Sequence, residues 1–301
     1  HTLKSSYRNS SKSVSPLSYN MCWVFFIFLF IKCTNSNSQP DITLNQNKTS
    51  KKVEKKDAIL PLITYLADSI PDTTAWRIFK SKYDTSQLKI IAAINRIDLS
   101  KIRIGSKLII PDTIFKDFDH YVPFPQHLAL PDSVPKFIMV NQRIQIFAAY
   151  ENGILVHTGP VSTGRKAKPT PNKLYYTNYK ARLKTSTVDG SWKMPWYFNI
   201  SNRGGIGMHQ YTLPGYPASH SCIRMYEENA NWIYNWAQPW TLTSNQNTIL
   251  VYGTPVLVFG NYDFSQPPIW KTLPQNPHAL ELTPDELQII NESIPKIRIH
   301  P

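Results

Sequence analysis

The chain has 301 residues, with 33 Lys/Arg against 20 Asp/Glu and a formal net charge of +13. Its eleven glycines form no phosphate loop or dinucleotide pattern, no histidine pair stands at HExxH spacing, and its three cysteines lie far apart, so the sequence calls for no metal and no cofactor. Nucleic acid is set aside as a partner for want of any binding motif and because the chain reads as exported; residues 1–56, its leader and tether, hold nine Lys/Arg against two acids.

Cys22 to Ile31 is a run of ten apolar residues preceded by Lys4, Arg8 and Lys12. It is too short to span a bilayer as a helix and right for the apolar region of a secretory signal, so residues 1–33 read as a leader and the protein as exported to the periplasm or cell envelope. Cys33 stands where a lipoprotein signal places its lipidated cysteine, although Phe30-Ile31-Lys32 lacks the small residues expected there. Lipidation at Cys33, which would tie the chain to the inner or outer membrane, plain cleavage and an uncleaved anchor are the three readings. Residues 34–56 are polar and lysine-rich and read as a tether. The next cysteine is Cys222, so the exported part would hold one unpaired thiol, which in an oxidising compartment is usually there for reactivity.

A second module follows over residues 57–115. Thr74-Ala75-Trp76-Arg77-Ile78-Phe79 and Leu88 to Asn95 are short helical patterns, and Ile104-Gly105-Ser106-Lys107-Leu108-Ile109-Ile110-Pro111 ends in a strand. With Ala92-Ala93-Ile94-Asn95-Arg96-Ile97-Asp98 before it, that ending is similar to the second half of a LysM domain. The resemblance implies a small α+β module of βααβ order that binds glycan strands, although no clear opening strand is visible.

From Lys136 onward, short apolar runs alternate with turn signals. Phe137-Ile138-Met139-Val140, Ile144-Gln145-Ile146-Phe147 and Ile154-Leu155-Val156 come first, and Asn152-Gly153 marks a hairpin. Runs at 173–179, 192–200 and 248–259 continue a β-rich domain over 130–260. After Cys222, Tyr226, Ala230, Ile233 and Ala237 fall on one helical face with Glu227 and Glu228 in the first turn, which predicts a helix. Arg165, Lys166, Lys168, Lys173, Lys180, Arg182 and Lys184 run without an intervening acid, a solvated basic face able to steer anions. Residues 261–301 form a Pro-rich tail with a helical piece near 283–293, either covering the domain or partly disordered.

Ser219-His220-Ser221-Cys222-Ile223-Arg224, with His209 upstream, sets one thiol beside two candidate bases. A thiol near its ordinary pKa is mostly protonated at neutral pH, and a nucleophilic cysteine needs an imidazole to take its proton. The stretch resembles the catalytic motif of the L,D-transpeptidases, in which an upstream His is followed by Ser/Thr-His-Gly-Cys, an apolar residue and Asn or Arg. It departs at Ser221, where Gly is usual, and in a short spacing from His209 to Ser219. Pro160-Val161-Ser162-Thr163-Gly164 and Thr170-Pro171 look like further elements of that family.

The resemblance implies a mainly β catalytic domain of sandwich or barrel type with a helix after the nucleophile. It also implies roles: Cys222 as nucleophile, His209 as base, the Gln210 carbonyl as its orienting group, and the Ser221 and Cys222 N–H groups as oxyanion donors. Arg224 suits a substrate carboxylate, because a guanidinium fork binds one bidentately. His220 would line the substrate path, and Ser219 would support the loop. The expected substrates are peptidoglycan stem peptides, acylated on Cys222 as a thioester and passed to an amine. Water as acceptor would make the enzyme an L,D-carboxypeptidase, and a protein lysine would make it a wall-protein anchoring or releasing enzyme. A non-catalytic peptidoglycan-binding protein is the rival of another class.

Overall fold

The structure is a computed structural model and describes residues 62–301. The leader at 1–33, including Cys33, and the tether at 34–56 lie outside the described residues.

The first elements are β1 (Tyr65–Ser69), α1 (Thr73–Lys82), α2 (Thr85–Ile94) and β2 (Lys107–Pro111). β1 and β2 pair antiparallel, Tyr65 opposite Pro111 and Ser69 opposite Lys107. The opening strand has no sequence signal of its own because four of its five residues face solvent and its identity comes from its partner. Both helices have side-chain N-caps. Asp72 accepts from the Ala75 N–H, and Asp84 forms a capping box with Gln87.

Next come β3 (Lys136–Asn141), β4 (Ile146–Glu151), β5 (Ile154–Ser162), β6 (Lys173–Tyr176), β7 (Lys180–Thr185), β8 (Lys193–Ser201), β9 (Ile206–Gln210), β10 (Ile223–Met225), α3 (Glu227–Trp236), β11 (Thr241–Leu242), β12 (Ile249–Val251), β13 (Pro255–Phe259) and α4 (Pro284–Ser293). Nine of these strands form one sheet in the order β6-β13-β3-β4-β5-β10-β9-β8-β7, while β11 and β12 pair separately. The mainly β domain is thus one long sheet. Asn152 (φ 50°) and Gly153 (φ 78°) make the tight β4–β5 turn, where a Cβ on Gly153 would stand 2.4 Å from the Leu128 carbonyl oxygen.

Alternation along β3 explains its unbroken apolar run. Phe137 and Met139 enter one core together with Ile94, Ile109, Trp270, Leu280 and Ile290, whereas Ile138 and Val140 enter a second with Phe198, Met208, Ile223, Ala230 and Ile233. Both faces are covered, so neither can be polar. The tail packs on the first face and is tied by Glu286, which accepts from Arg143 Nε at 2.9 Å, Arg143 Nη2 at 2.7 Å and Asn141 Nδ2 at 2.8 Å.

Arg96 joins the βααβ segment to the sheet. It is fully buried at φ 55°, donates from Nε to the Ile144 carbonyl at 3.1 Å and lies over the Trp270 ring at 4.8 Å. Burial lowers its pKa to about 9, and it has no carboxylate partner among the described residues.

Candidate active site

β9 and β10 are parallel neighbours in which His209 stands opposite Arg224. Cys222 immediately precedes β10. Together with Arg224, Ser219, His220, Tyr211, Asn199 and Lys184 they line one cavity of about 450 Å³.

The His209 ring is almost fully buried, and its Nδ1 lies 2.8 Å from the Gln210 carbonyl oxygen. A carbonyl only accepts, so the proton is on Nδ1 and the Nε2 lone pair is the free base. Burial lowers the ring's pKa to about 4, with Arg224 adding to the fall and the Gln210 contact opposing it. Burial likewise pushes the Cys222 thiol up, against the Gly207 N–H, Arg224 and Lys184, which favour the thiolate. Both shifts favour a neutral thiol and a neutral imidazole near neutral pH.

The loop Ser219 to Cys222 is clamped by β5 and the segment after it. Ser219 forms a bridge with Gly164, its N–H donates to the Thr163 carbonyl at 3.0 Å, and its own carbonyl accepts the Arg165 N–H at 3.0 Å. The Ser219 hydroxyl closes the turn onto the Cys222 carbonyl. Thr170 is buried, accepts the Gly164 N–H at 2.9 Å and donates to the Ser221 carbonyl at 2.9 Å. Gln145 holds Thr163 from both sides, accepting its N–H and donating to its hydroxyl, each at 2.8 Å. Ser221 has φ +77°, the left-handed region where glycine is at ease and a Cβ costs roughly 1–2 kcal/mol.

His220 accepts from Arg165 Nη2 at 2.7 Å through Nε2 and lies against Trp192 with centroids 4.7 Å apart. Its pKa is lowered by lost hydration and by the cations of Arg165, Arg224 and Lys168. Arg224 lies over the Tyr211 ring at 4.5 Å and makes no salt bridge among the described residues, so its fork is available to an anion in the cavity. Gln210 contributes its carbonyl here, while its residue also lines a different cavity between α2, β5 and the start of α3.

Arg165, Lys166, Lys168, Lys173 and Arg182 of the basic run are exposed, while Lys180 and Lys184 are half-buried. Lys180 donates to the Tyr234 carbonyl at 2.7 Å, Arg182 lies over Trp196 at 4.9 Å, and Lys184 lines the cavity against Tyr179 and Tyr197. Sequence reading identified Thr170 only as part of a Thr-Pro element and missed Gln145, Tyr197, Asn199 and Tyr211, whose parts depend on residues remote in the chain. Among the described residues no group of three His, Cys, Asp or Glu converges to hold a metal.

Residues 135–258 match the model of the YkuD family, the L,D-transpeptidase catalytic domain. No curated protein matches the chain. Similar solved structures include an L,D-transpeptidase from Stackebrandtia nassauensis, 22% identical over 42% of this chain and 57% of that one, with a TM-score of 0.35. Another is the L,D-transpeptidase of Xylanimonas cellulosilytica, 24% identical over 59% of this chain and 81% of that one, with a TM-score of 0.36. A third, from Mycobacterium smegmatis, is 17% identical over 42% of this chain and 59% of that one, with a TM-score of 0.33. The chain spans less than two thirds of the first of these structures, at 57%.

Proposed function

We propose that this chain is an exported cell-wall L,D-transpeptidase that carries a peptidoglycan stem peptide as a thioester on Cys222. The match of residues 135–258 to the catalytic-domain family supports the reaction class. The observation that carries the reading is one cavity holding a thiol, an imidazole with Nδ1 committed to a carbonyl and Nε2 free, and a guanidinium that makes no salt bridge among the described residues.

In the proposed cycle the Sγ proton passes to His209 Nε2 as sulfur attacks the carbonyl carbon before the terminal D-Ala. The C–N bond breaks, the amine leaves with the proton from His209, and the thioester remains. An acceptor amine then attacks, His209 takes its proton, and Cys222 regains a proton as the peptide leaves. Arg224 would bind a stem-peptide carboxylate and the Ser221 and Cys222 N–H groups the oxyanion. The βααβ order of residues 65–111 and the pairing of β1 with β2 support a LysM-like, glycan-holding part for that segment. Export rests on the leader sequence alone.

The test is incubation of the protein with a disaccharide tetrapeptide, beside Cys222→Ala, followed by intact-mass and product analysis. Loss of D-Ala and a thioester adduct on the wild type alone support the proposal, and the products distinguish an amine acceptor from water. A chain inert to the tetrapeptide and to a carbapenem would favour a non-catalytic wall-binding protein.

A further inference from the structure

β8 places two polar side chains behind the nucleophile that the assignments above leave unused. Tyr197 and Asn199 are each about 1% exposed. Asn199 Nδ2 donates to the Tyr197 hydroxyl at 2.8 Å, and that hydroxyl donates to the Gly205 carbonyl at 3.4 Å. The same carbonyl accepts the Cys222 thiol at 3.7 Å. One acceptor thus faces two donors, both at long range. The Tyr197 ring lies nearly parallel to His209, with centroids 6.2 Å apart and planes 28° from each other. It fits because residue 207 is glycine, where a Cβ would stand 2.4 Å from the phenol ring. A phenol held by one amide, seated in a space made by a missing side chain and aimed at the oxygen the thiol uses, is more construction than core packing needs.

We propose that Tyr197, braced by Asn199, is a positioning residue for Cys222, its hydroxyl holding the Gly205 carbonyl when the thiol gives up its proton. The inference rests on Cys222 being the nucleophile. As the S–H bond breaks and the proton bonds to His209 Nε2, sulfur turns from a donor into an anion, and the Gly205 oxygen loses one of its two donors. A thiolate beside an unsatisfied carbonyl oxygen meets the negative end of that dipole, which raises the cost of ionisation in a poorly hydrated site. The phenol proton on that oxygen weakens the repulsion and keeps the loop before β9 in place. The other charged or titratable groups near the sulfur are Arg224 on β10, His209 on β9 and Lys184 on β7, whose ammonium lies 4.9 Å from the Tyr197 ring centroid and contacts the Tyr179 hydroxyl. Burial raises the pKa of the Tyr197 phenol and a charged Cys222 adds to the rise, so the hydroxyl is within electrostatic reach of the sulfur.

The test is the pH profile of Cys222 alkylation by iodoacetamide in the full chain, read on the Cys222 peptide by mass spectrometry. Tyr197→Phe keeps the ring over His209 and above Gly207 and removes only the hydroxyl. Its profile is expected to move up by about one pH unit, so that alkylation at neutral pH slows about tenfold with unchanged circular dichroism. Asn199→Ala should shift the profile the same way by less. Superposition of the Tyr197→Phe profile on the wild type overturns the proposal. If Tyr197→Phe fails to fold, the Asn199→Ala profile decides on the same terms. Alkylation needs no stem peptide, so the result stands whether or not the protein acts on peptidoglycan.

Discussion

Replacing Thr170 by valine removes one hydroxyl and nearly nothing else, and two backbone groups lose their partner at once. The Gly164 N–H, 2.9 Å from Thr170 Oγ1, is buried with no room for water: a Cβ on Gly164 would stand 2.3 Å from the Lys168 carbonyl oxygen. An orphaned buried donor costs about 1–3 kcal/mol. The Ser221 carbonyl, 2.9 Å from the same hydroxyl, is half-buried and regains part of its loss from solvent. Together these put Thr170→Val about 2–3 kcal/mol below the wild type, a fall of roughly 5–10 °C in Tm for a folded unit of this size. Because the lost bond pins the residue before Cys222, acylation should slow on the order of tenfold to a hundredfold. Thr170→Ser retains the hydroxyl and should stay close to the wild type in both respects. Calorimetry and Cys222 alkylation are the assays, and a Thr170→Val protein within about 0.5 kcal/mol of the wild type with an unchanged alkylation rate would refute the clamp.

Stability should depend on pH through His209. Its pKa is lowered from 6.5 to about 4 in the folded protein, so the unfolded chain takes up the proton first as pH falls. Roughly 3 kcal/mol of stability is then lost between about pH 6.5 and 4, and His209→Asn should flatten that part of a urea-unfolding series. Ser221→Gly relieves left-handed strain of roughly 1–2 kcal/mol, but it frees the unfolded chain by about 0.5–1 kcal/mol and loses an exposed contact to the Lys168 carbonyl, for a net gain of about 0.5 kcal/mol. A destabilised Ser221→Gly protein would show that the serine side chain matters more than its φ. Arg96→Ala leaves a cavity beside Trp270 and strips the Ile144 carbonyl of its donor, with an expected loss of about 3–5 kcal/mol in urea unfolding. Arg96→Met fills the space without a buried cation and should cost less than half as much.

Much of the site is legible in the chain because its members are neighbours in sequence. Ser219 to Arg224 is a single loop running into a three-residue strand, and the helix after it announces itself by spacing and by Glu227 and Glu228. Asn152-Gly153 specifies its turn because the required positive φ belongs to few residue types. Ser221 shows where local reading stops: its departure from glycine is visible in sequence, whereas the hydrogen bond that its carbonyl accepts from Thr170, 51 residues away, is not.

Several apolar strand runs, the hairpin turn, the helices and the Cys222–His209 candidate pair were readable from the chain alone, because all of them rest on short-range periodicity and residue type. Tertiary structure alone decided that Arg96 is a buried link to residues 144 and 270, that β1 is a strand, that Lys184 lines the cavity, and that Tyr197 and Asn199 stand behind Cys222. Those roles are hydrogen bonds and packing contacts closed between distant segments, and nothing in a residue's immediate neighbours records which remote backbone group will lack a partner until the sheet has formed.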